Sequence, residues 1–254
     1  KRRKKKKTRD LPREVVEDIY PDYYLQNFHH QTDGYLSNYS ASLYDLQVEI
    51  LFNGTADSMR RRIIKPLKNG LKEFSSRSPE KLRVLDVATG TGRTLKQIKS
   101  SMPRVELLGL DLSSAYLRKA SRYLNGRNQS LTQLIRANAE KIPLSDNSVQ
   151  GITCVFLLHE LPRSARDNAL RECFRVLEPG GIFVIADSIQ TTDSPHFSML
   201  MENFNKFFHE PYYYDYINDD INKRLENSGF EEISANSYFM TRVWSGKKPL
   251  KSSN

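Results

Sequence analysis

The hydrophobic pattern of the chain changes at about Lys81. From there, short β-branched and apolar runs alternate with amphipathic segments. This predicts strands over Leu82–Val87, Val105–Leu110, Leu131–Arg136, Gly151–Phe156 and Ile182–Ala186, and helices over Arg93–Ser101, Ser114–Leu124 and Arg166–Leu177. Such alternation calls for parallel strands joined by right-handed crossovers, with helices on both faces of the sheet. Ser164 is the expected N-cap of the third helix, and Pro179-Gly180-Gly181 is a stop signal ahead of the next strand. Past Asp187 the alternation breaks: residues 194–208 and 216–227 read as helices, and residues 230–238 and 239–244 as two closing strands, antiparallel at the sheet end.

Upstream, residues 11–51 show no strand alternation and are rich in rings, with Tyr20, Tyr23, Tyr24, Phe28, Tyr35, Tyr39 and Tyr44 around His29 and His30. Leu43, Leu46, Ile50 and Leu51 recur at helical spacing over residues 40–51, and a second helix is expected over residues 56–74, bent near Pro66. The expected fold is therefore α/β: a doubly wound, mostly parallel, seven-stranded Rossmann-like sheet with helices on both faces, its last strand antiparallel, plus an N-terminal helical extension. The expected division is a disordered basic tail over residues 1–10, the extension over residues 11–78, and a catalytic-type domain over residues 79–248 with an insert at about residues 190–220.

Composition narrows the classes. A chain of 254 residues that is 38% hydrophobic can bury a substantial core, and its longest apolar stretch, Ile152–Leu158, is far too short to span a membrane. Cys154 and Cys173 cannot make a disulfide framework and suit a reducing compartment as small buried hydrophobes. The formal charge of +9 is concentrated at the start: residues 1–9 hold eight of the 39 Lys and Arg and no acid, which leaves the rest within one charge of neutral. That distribution describes a basic tail rather than a phosphate-gripping folded surface, and such a tail can touch RNA, anionic lipid or an acidic partner, or simply aid solubility. The chain opens on Lys, as a processed or trimmed form would, so cytoplasmic and processed organellar (plastid or mitochondrial) locations both stand.

The sharpest motif is Val84-Leu85-Asp86-Val87-Ala88-Thr89-Gly90-Thr91-Gly92, a hydrophobic strand entering a glycine-containing turn and then a helix. In a doubly wound sheet this turn lies at the carboxyl edge, where ligands bind. Asp111 ends the next strand nineteen residues after Gly92, placed to accept hydrogen bonds from ribose hydroxyls. Two nucleoside readings compete, dinucleotide and S-adenosylmethionine. Leu95 occupies the third position of the dinucleotide glycine fingerprint, and no P-loop pattern occurs.

These segments, together with residues 137–149, 154–162 and 171–187, resemble in order and spacing the signature of class I S-adenosylmethionine-dependent methyltransferases, and within it the ubiquinone/menaquinone biosynthesis methyltransferase-like set. The resemblance implies S-adenosyl-L-methionine as cofactor, with Asp86 and the turn Ala88, Thr89, Gly90, Thr91 and Gly92 at its methionine part. It also implies Asp111 at the ribose, Leu112, Asn138 and Ala139 at the adenine, and Phe156 and Leu157 beneath the sulfonium. The sequence departs from that set at Ala88, where many members have glycine, at Arg93, and at His159-Glu160-Leu161-Pro162.

The cofactor's sulfonium already activates the methyl group, so the protein has chiefly to align a nucleophile and exclude water. His159 and Glu160 are the candidates for general base. By analogy with related enzymes, substrate contacts fall to a lid built from the aromatic clusters, with His29, His30, Tyr35, Tyr39, Tyr44, His209, Tyr212 and Tyr213 as candidates. No metal site is expected: no ligand spacing along the chain suits one, and His159–Arg163 lacks the second histidine of the zinc motif. The expected activity is methylation of a small organic acceptor. The alternatives are an RNA- or protein-directed methyltransferase that uses the tail, and a catalytically silent cofactor-binding assembly subunit. The oligomeric state stays open.

Overall fold

The computed structural model describes residues 8–11, 19–125 and 132–250. The basic run of residues 1–7 and the expected strand start at Leu131 lie outside the described residues. Thr8 and Asp10, placed in the disordered tail by sequence, instead meet Asn27: the Asn27 N–H donates to the Thr8 carbonyl at 2.8 Å, and Asn27 Oδ1 accepts from the Asp10 N–H at 2.7 Å.

Seven strands form one sheet in the order β3-β2-β1-β4-β5-β7-β6. They are β1 (Arg83–Val87), β2 (Glu106–Asp111), β3 (Gln133–Arg136), β4 (Val149–Val155), β5 (Leu177–Ser188), β6 (Glu231–Tyr238) and β7 (Thr241–Lys247). All pairings from β3 through β5 are parallel, and β7 runs antiparallel to both its neighbours, so the expected mixed sheet is the observed one. β4 is buried along its whole length, as a central strand covered on both faces must be.

The helices are α1 (Asn38–Leu51), α2 (Ala56–Arg61), α3 (Ile64–Gly70), α4 (Arg93–Ser101), α5 (Ser114–Leu124), α6 (Arg163–Val176), α7 (Ser198–Phe207), α8 (Tyr213–Ile217) and α9 (Ile221–Asn227). Alternating residues of each central strand feed two cores. Val84, Val184 and Ala186 pack with Ile63, Leu67, Leu95, Ile98 and Leu124 on one face. Leu85, Phe183 and Ile185 pack with Leu170, Cys173, Ile217, Leu225 and Trp244 on the other.

Four local expectations are corrected. The helix predicted over residues 56–74 breaks at Arg62–Ile63 into α2 and α3, because Pro66 has no N–H for the Arg62 carbonyl. α6 begins at Arg163 directly after Pro162, whose φ of −65° already suits a helix start, so Ser164 lies inside the first turn and caps nothing. Pro179-Gly180-Gly181 is no loop. It forms a bulge inside β5, with Gly180 at φ 80° while the pairing jumps from Val149↔Leu177 to Gly151↔Ile182. The helix expected over residues 216–227 is two pieces, α8 and α9, because the Asp220 side chain accepts from the Lys223 N–H and starts a new helix.

Ile63 and Leu67 belong to the same core as the sheet, so the N-terminal helices are structural partners of the strands. Leu67→Ala is therefore expected to lower unfolding free energy by about 2–5 kcal/mol, within a single cooperative transition. Urea denaturation followed by Trp244 fluorescence checks this, and a loss below about 1 kcal/mol would make the extension an appendage.

Candidate active site

Every strand-to-helix turn of the parallel strands opens at the carboxyl edge of the sheet, and the site is built there. In the turn after β1, Ala88, Gly90 and Gly92 have φ of 56°, 55° and 84°. An added Cβ on Gly92 would lie 2.9 Å from Leu124 Cδ1, whereas one on Gly90 would meet nothing nearer than 4.0 Å. Gly90 thus exposes bare backbone to open space. Ala88 holds its left-handed conformation with a methyl group, at a cost of about 1–2 kcal/mol relative to glycine.

A cavity of about 700 Å³ lies over this turn. Of the residues expected at the cofactor, Ala88, Gly90, Asp111, Leu112, Asn138, Ala139, Phe156 and Leu157 line it. Four others stand behind its wall. Asp86 is buried, accepting from Thr153 Oγ1 at 2.5 Å and from Thr89 Oγ1 at 2.8 Å. Thr91 Oγ1 donates to Asp45 at 2.6 Å, and Gly92 packs on α5. Asp86, Thr89, Thr91 and Gly92 therefore shape the turn and do not face the cavity.

Asp111 accepts the Gly90 N–H on Oδ2 and the Ser113 N–H on Oδ1, each at 2.8 Å, so the first turn and the second strand are clamped together by one carboxylate. Its remaining lone pairs are free to take ribose hydroxyls. Tyr24, Tyr35, Tyr44 and Tyr116 close the cavity from above, with ring centroids 5.4–6.1 Å apart in tilted and edge-to-face contacts. Burial pushes the phenols of Tyr24, Tyr35, Tyr44 and Tyr116 up, which keeps this wall neutral and its π faces available to a cation. An open glycine backbone, an acid at ribose height and an aromatic wall fit an adenosyl sulfonium cofactor. Tyr23, Tyr24 and Tyr116 at this cavity were not picked out from the sequence, because rings on irregular or amphipathic segments look like packing.

A second, larger cavity of about 1220 Å³ adjoins the first and shares Tyr44, Phe156 and Glu160 with it. Its body is apolar, walled by Val48, Leu51 and Phe52 of the N-terminal helices and by Leu200, Met201, Phe204 and Phe208 of the insert. Its polar end holds His29, His159, Glu160, Glu210 and Tyr213. Phe156, at the junction, has φ 57°, an unusual conformation for a bulky residue; its ring stacks on Phe52 at 5.8 Å.

His159 and Glu160, the candidate bases, sit in a short 3-10 turn, Leu158–Glu160, after β4. His159 Nδ1 is 2.6 Å from Asp187, which also accepts the Leu158 N–H at 2.8 Å. Burial alone would lower the His159 pKa, but Asp187, with Glu210 and Glu160 nearby, lifts it to about 9, so the ring keeps its proton at neutral pH. Glu160 accepts from the Tyr35 hydroxyl and lies 3.3 Å from His29 Nε2 and 3.8 Å from His159 Nε2.

Of the lid candidates, His29, Tyr44 and Tyr213 line the larger cavity and Tyr35 the smaller one. The rest do not reach either. Tyr39 is exposed on α1, His30 packs near the His209 ring, His209 Nε2 pairs with Gln26 at 2.9 Å, and Tyr212 packs edge-on to Tyr23. Asp187, Glu210 and Arg166 were missed. Asp187 had one available signal, its place at the end of a predicted strand, like Asp111. Arg166, fully buried, bonds Asp215 and Asp219 at 2.7 Å and the carbonyls of Leu158 and Tyr212, which ties the insert to the turn bearing His159.

Residues 84–181 match the family described as a methyltransferase domain. The chain is 35% identical over 147 residues to a demethylmenaquinone methyltransferase of Thermotoga maritima, covering 58% of this chain and 57% of that protein. It is 30% identical over 167 residues to a demethylmenaquinone methyltransferase of Lactobacillus johnsonii, covering 65% and 64%. The matches thus span less than two thirds of either relative. The fold is similar to that of the S-adenosylmethionine-dependent methyltransferase SibL, with a TM-score of 0.61 at 16% identity over 79% of this chain and 58% of that one.

Burial raises the Asp111 carboxyl to about 6 against the lowering effect of the Ser113 and Gly90 amides. Ribose hydroxyls bond best to the ionised form. Affinity for S-adenosylhomocysteine is therefore expected to be level above about pH 7 and to fall up to about tenfold per pH unit below about pH 5. Asp111→Asn should remove that dependence and weaken binding at neutral pH at least tenfold, about 1.4 kcal/mol. Calorimetric titrations across this pH range measure both effects, and an equal dependence in the variant would assign it to another group.

Proposed function

We propose, because this chain belongs to the class I S-adenosylmethionine-dependent methyltransferases, that it transfers a methyl group to a small organic acceptor with an apolar body and an ionisable hydroxyl on its reacting ring. The observation that carries this reading is the pair of adjoining cavities, which share Tyr44, Phe156 and Glu160 as a common wall. A ring in the larger cavity, with its body against Leu51, Phe52 and Phe204, brings its polar edge to His159 and Glu160. The relatives' names point to a quinone-type ring, and the apolar walls suit one.

The cofactor supplies a methyl group on a positively charged sulfur, needing only a nucleophile in line with the S–CH3 bond. Tyr35, Tyr44 and Tyr116 present neutral rings to that charge and keep water out. His159, oriented through Nδ1 by Asp187, holds a proton on Nε2 and donates it as a hydrogen bond to an acceptor oxygen, stabilising that oxygen as an anion. Glu160 is the carboxylate nearest to receive the proton the hydroxyl gives up. His159 and Glu160 would thus hold the acceptor as the anion that takes up the methyl group. The polymer-directed and silent-subunit alternatives gain no observation from the described residues.

Incubation with methyl-labelled cofactor and reduced demethylmenaquinone or other hydroxylated ring acceptors should give labelled small-molecule product. His159→Gln should lower turnover about 10²–10⁴-fold while S-adenosylhomocysteine affinity stays within about threefold. Label appearing only in RNA or protein would overturn the small-molecule reading.

A further inference from the structure

Three segments distant in sequence converge at the polar end of the acceptor-side cavity. His29 comes from the turn Phe28–His30, Glu160 from the turn after β4, and Glu210 from the insert ahead of α8; one ligand atom from each lies within 4.8 Å of the others. His29 Nδ1 is 2.6 Å from Glu210 Oε1 and His29 Nε2 is 3.3 Å from Glu160 Oε1, so the imidazole ring lies between two carboxylates.

Glu210 is the anomaly in this cluster. Its side chain is completely buried; Oε1 meets His29 Nδ1, and Oε2 has no hydrogen-bond partner among the described residues. Buried carboxylate oxygens each meet a donor, as both oxygens of Asp86, Asp111 and Asp187 do at the same sheet edge. A wholly buried carboxylate with one oxygen that receives no donor, facing an imidazole and a second carboxylate inside a cavity, presents a ligand set in which a metal ion takes the place of the proton that the two carboxylates hold on His29.

We propose that His29, Glu160 and Glu210 bind a first-row divalent cation at the junction of the two cavities. One imidazole, two carboxylates and no thiolate suit Mn²⁺, Fe²⁺ or Zn²⁺, while calcium would want more oxygen ligands. Tyr35, on Glu160, and Arg166, holding the Leu158 and Tyr212 carbonyls, fix the segments that carry the ligands. The open positions of such an ion face the acceptor-side cavity, where acceptor oxygens or water complete its shell. The proposal stands whether or not the methyl-transfer reading does, because binding is measured without cofactor or acceptor.

The test is Mn²⁺ titration of chelator-stripped full-length protein, with free ion read by its electron paramagnetic resonance signal. One Mn²⁺ per chain is expected, bound at least tenfold more weakly by His29→Gln and by Glu210→Gln, with S-adenosylhomocysteine affinity of both variants within about threefold of the parent as the check on folding. Should either variant fail that check, pulsed resonance of Mn²⁺ on the unaltered protein decides, since the site requires one directly coordinated imidazole nitrogen. Substoichiometric binding, affinity unchanged in folded variants, or bound Mn²⁺ without nitrogen coupling would each overturn the proposal.

Discussion

The carboxyl edge of the sheet is governed by the need to satisfy carboxylates placed inside protein. β1, β2 and β5 each carry an aspartate at or next to their ends, Asp86, Asp111 and Asp187, where parallel strands bury their termini against neighbours. An anion removed from water in this way is tolerable only with donors at its oxygens. The nearby turns are shaped to supply them: Thr89 and Thr153 for Asp86, the Gly90 and Ser113 amides for Asp111, the Leu158 and Ser188 amides with His159 for Asp187. The turn after β1, the start of α5 and the turn carrying His159 thus acquire their conformations partly as solvation shells. Because these shells are made from backbone and short side chains, they leave room at the sheet edge.

A buried cation does the corresponding work for the insert. Arg166 reaches from α6 to Asp215 and Asp219 and to two carbonyls, so the walls of the acceptor-side cavity are fastened to the frame of the cofactor-side one. Removing one partner from such a network leaves an uncompensated charge beside buried Arg166, so the connection is costly to break. The cavities consequently keep their shared wall of Tyr44, Phe156 and Glu160, which is the geometric requirement for passing a group from one molecule to another.

What could be read from the sequence follows from the range of the physics involved. Strand and helix periodicity is local, so the sheet, α4 and α5 were legible, and so was the cofactor side, whose backbone turn and acid are announced by Gly90 and Asp111 within one strand-helix-strand unit. The bulge at Gly180 was not, because glycine and proline mark a loop and a bulge alike. The acceptor side was legible only in part. Tyr35, Tyr44 and Tyr213 reach the cavities while Tyr39 and Tyr212 do not, and rings one, four or five residues apart across turn and helix boundaries share no single period that tells inward from outward. The His29–Glu160–Glu210 cluster is invisible in any window, since its members are brought together only by the crossing of the N-terminal turn, the β4 turn and the insert.

Strain points to the same place. Ala88, Phe156 and His29, each left-handed without being glycine, stand at the floor of one cavity, at the shared wall and at the polar end of the other. Such conformations cost about 1–3 kcal/mol each and persist only where surroundings enforce them. The enforcement is visible. Phe52 stacks on Phe156, the Arg60 guanidinium lies over the Phe156 ring at 5.6 Å from its centroid, the Thr89 N–H is tied to the Leu110 carbonyl beside Ala88, and the His29 N–H to the His209 carbonyl. Stability alone would favour glycine at Ala88 and an ordinary turn at His29. The fold instead holds these three residues in the walls of the two cavities, where each turn is fixed by a neighbour and none could relax without reshaping the space beside it.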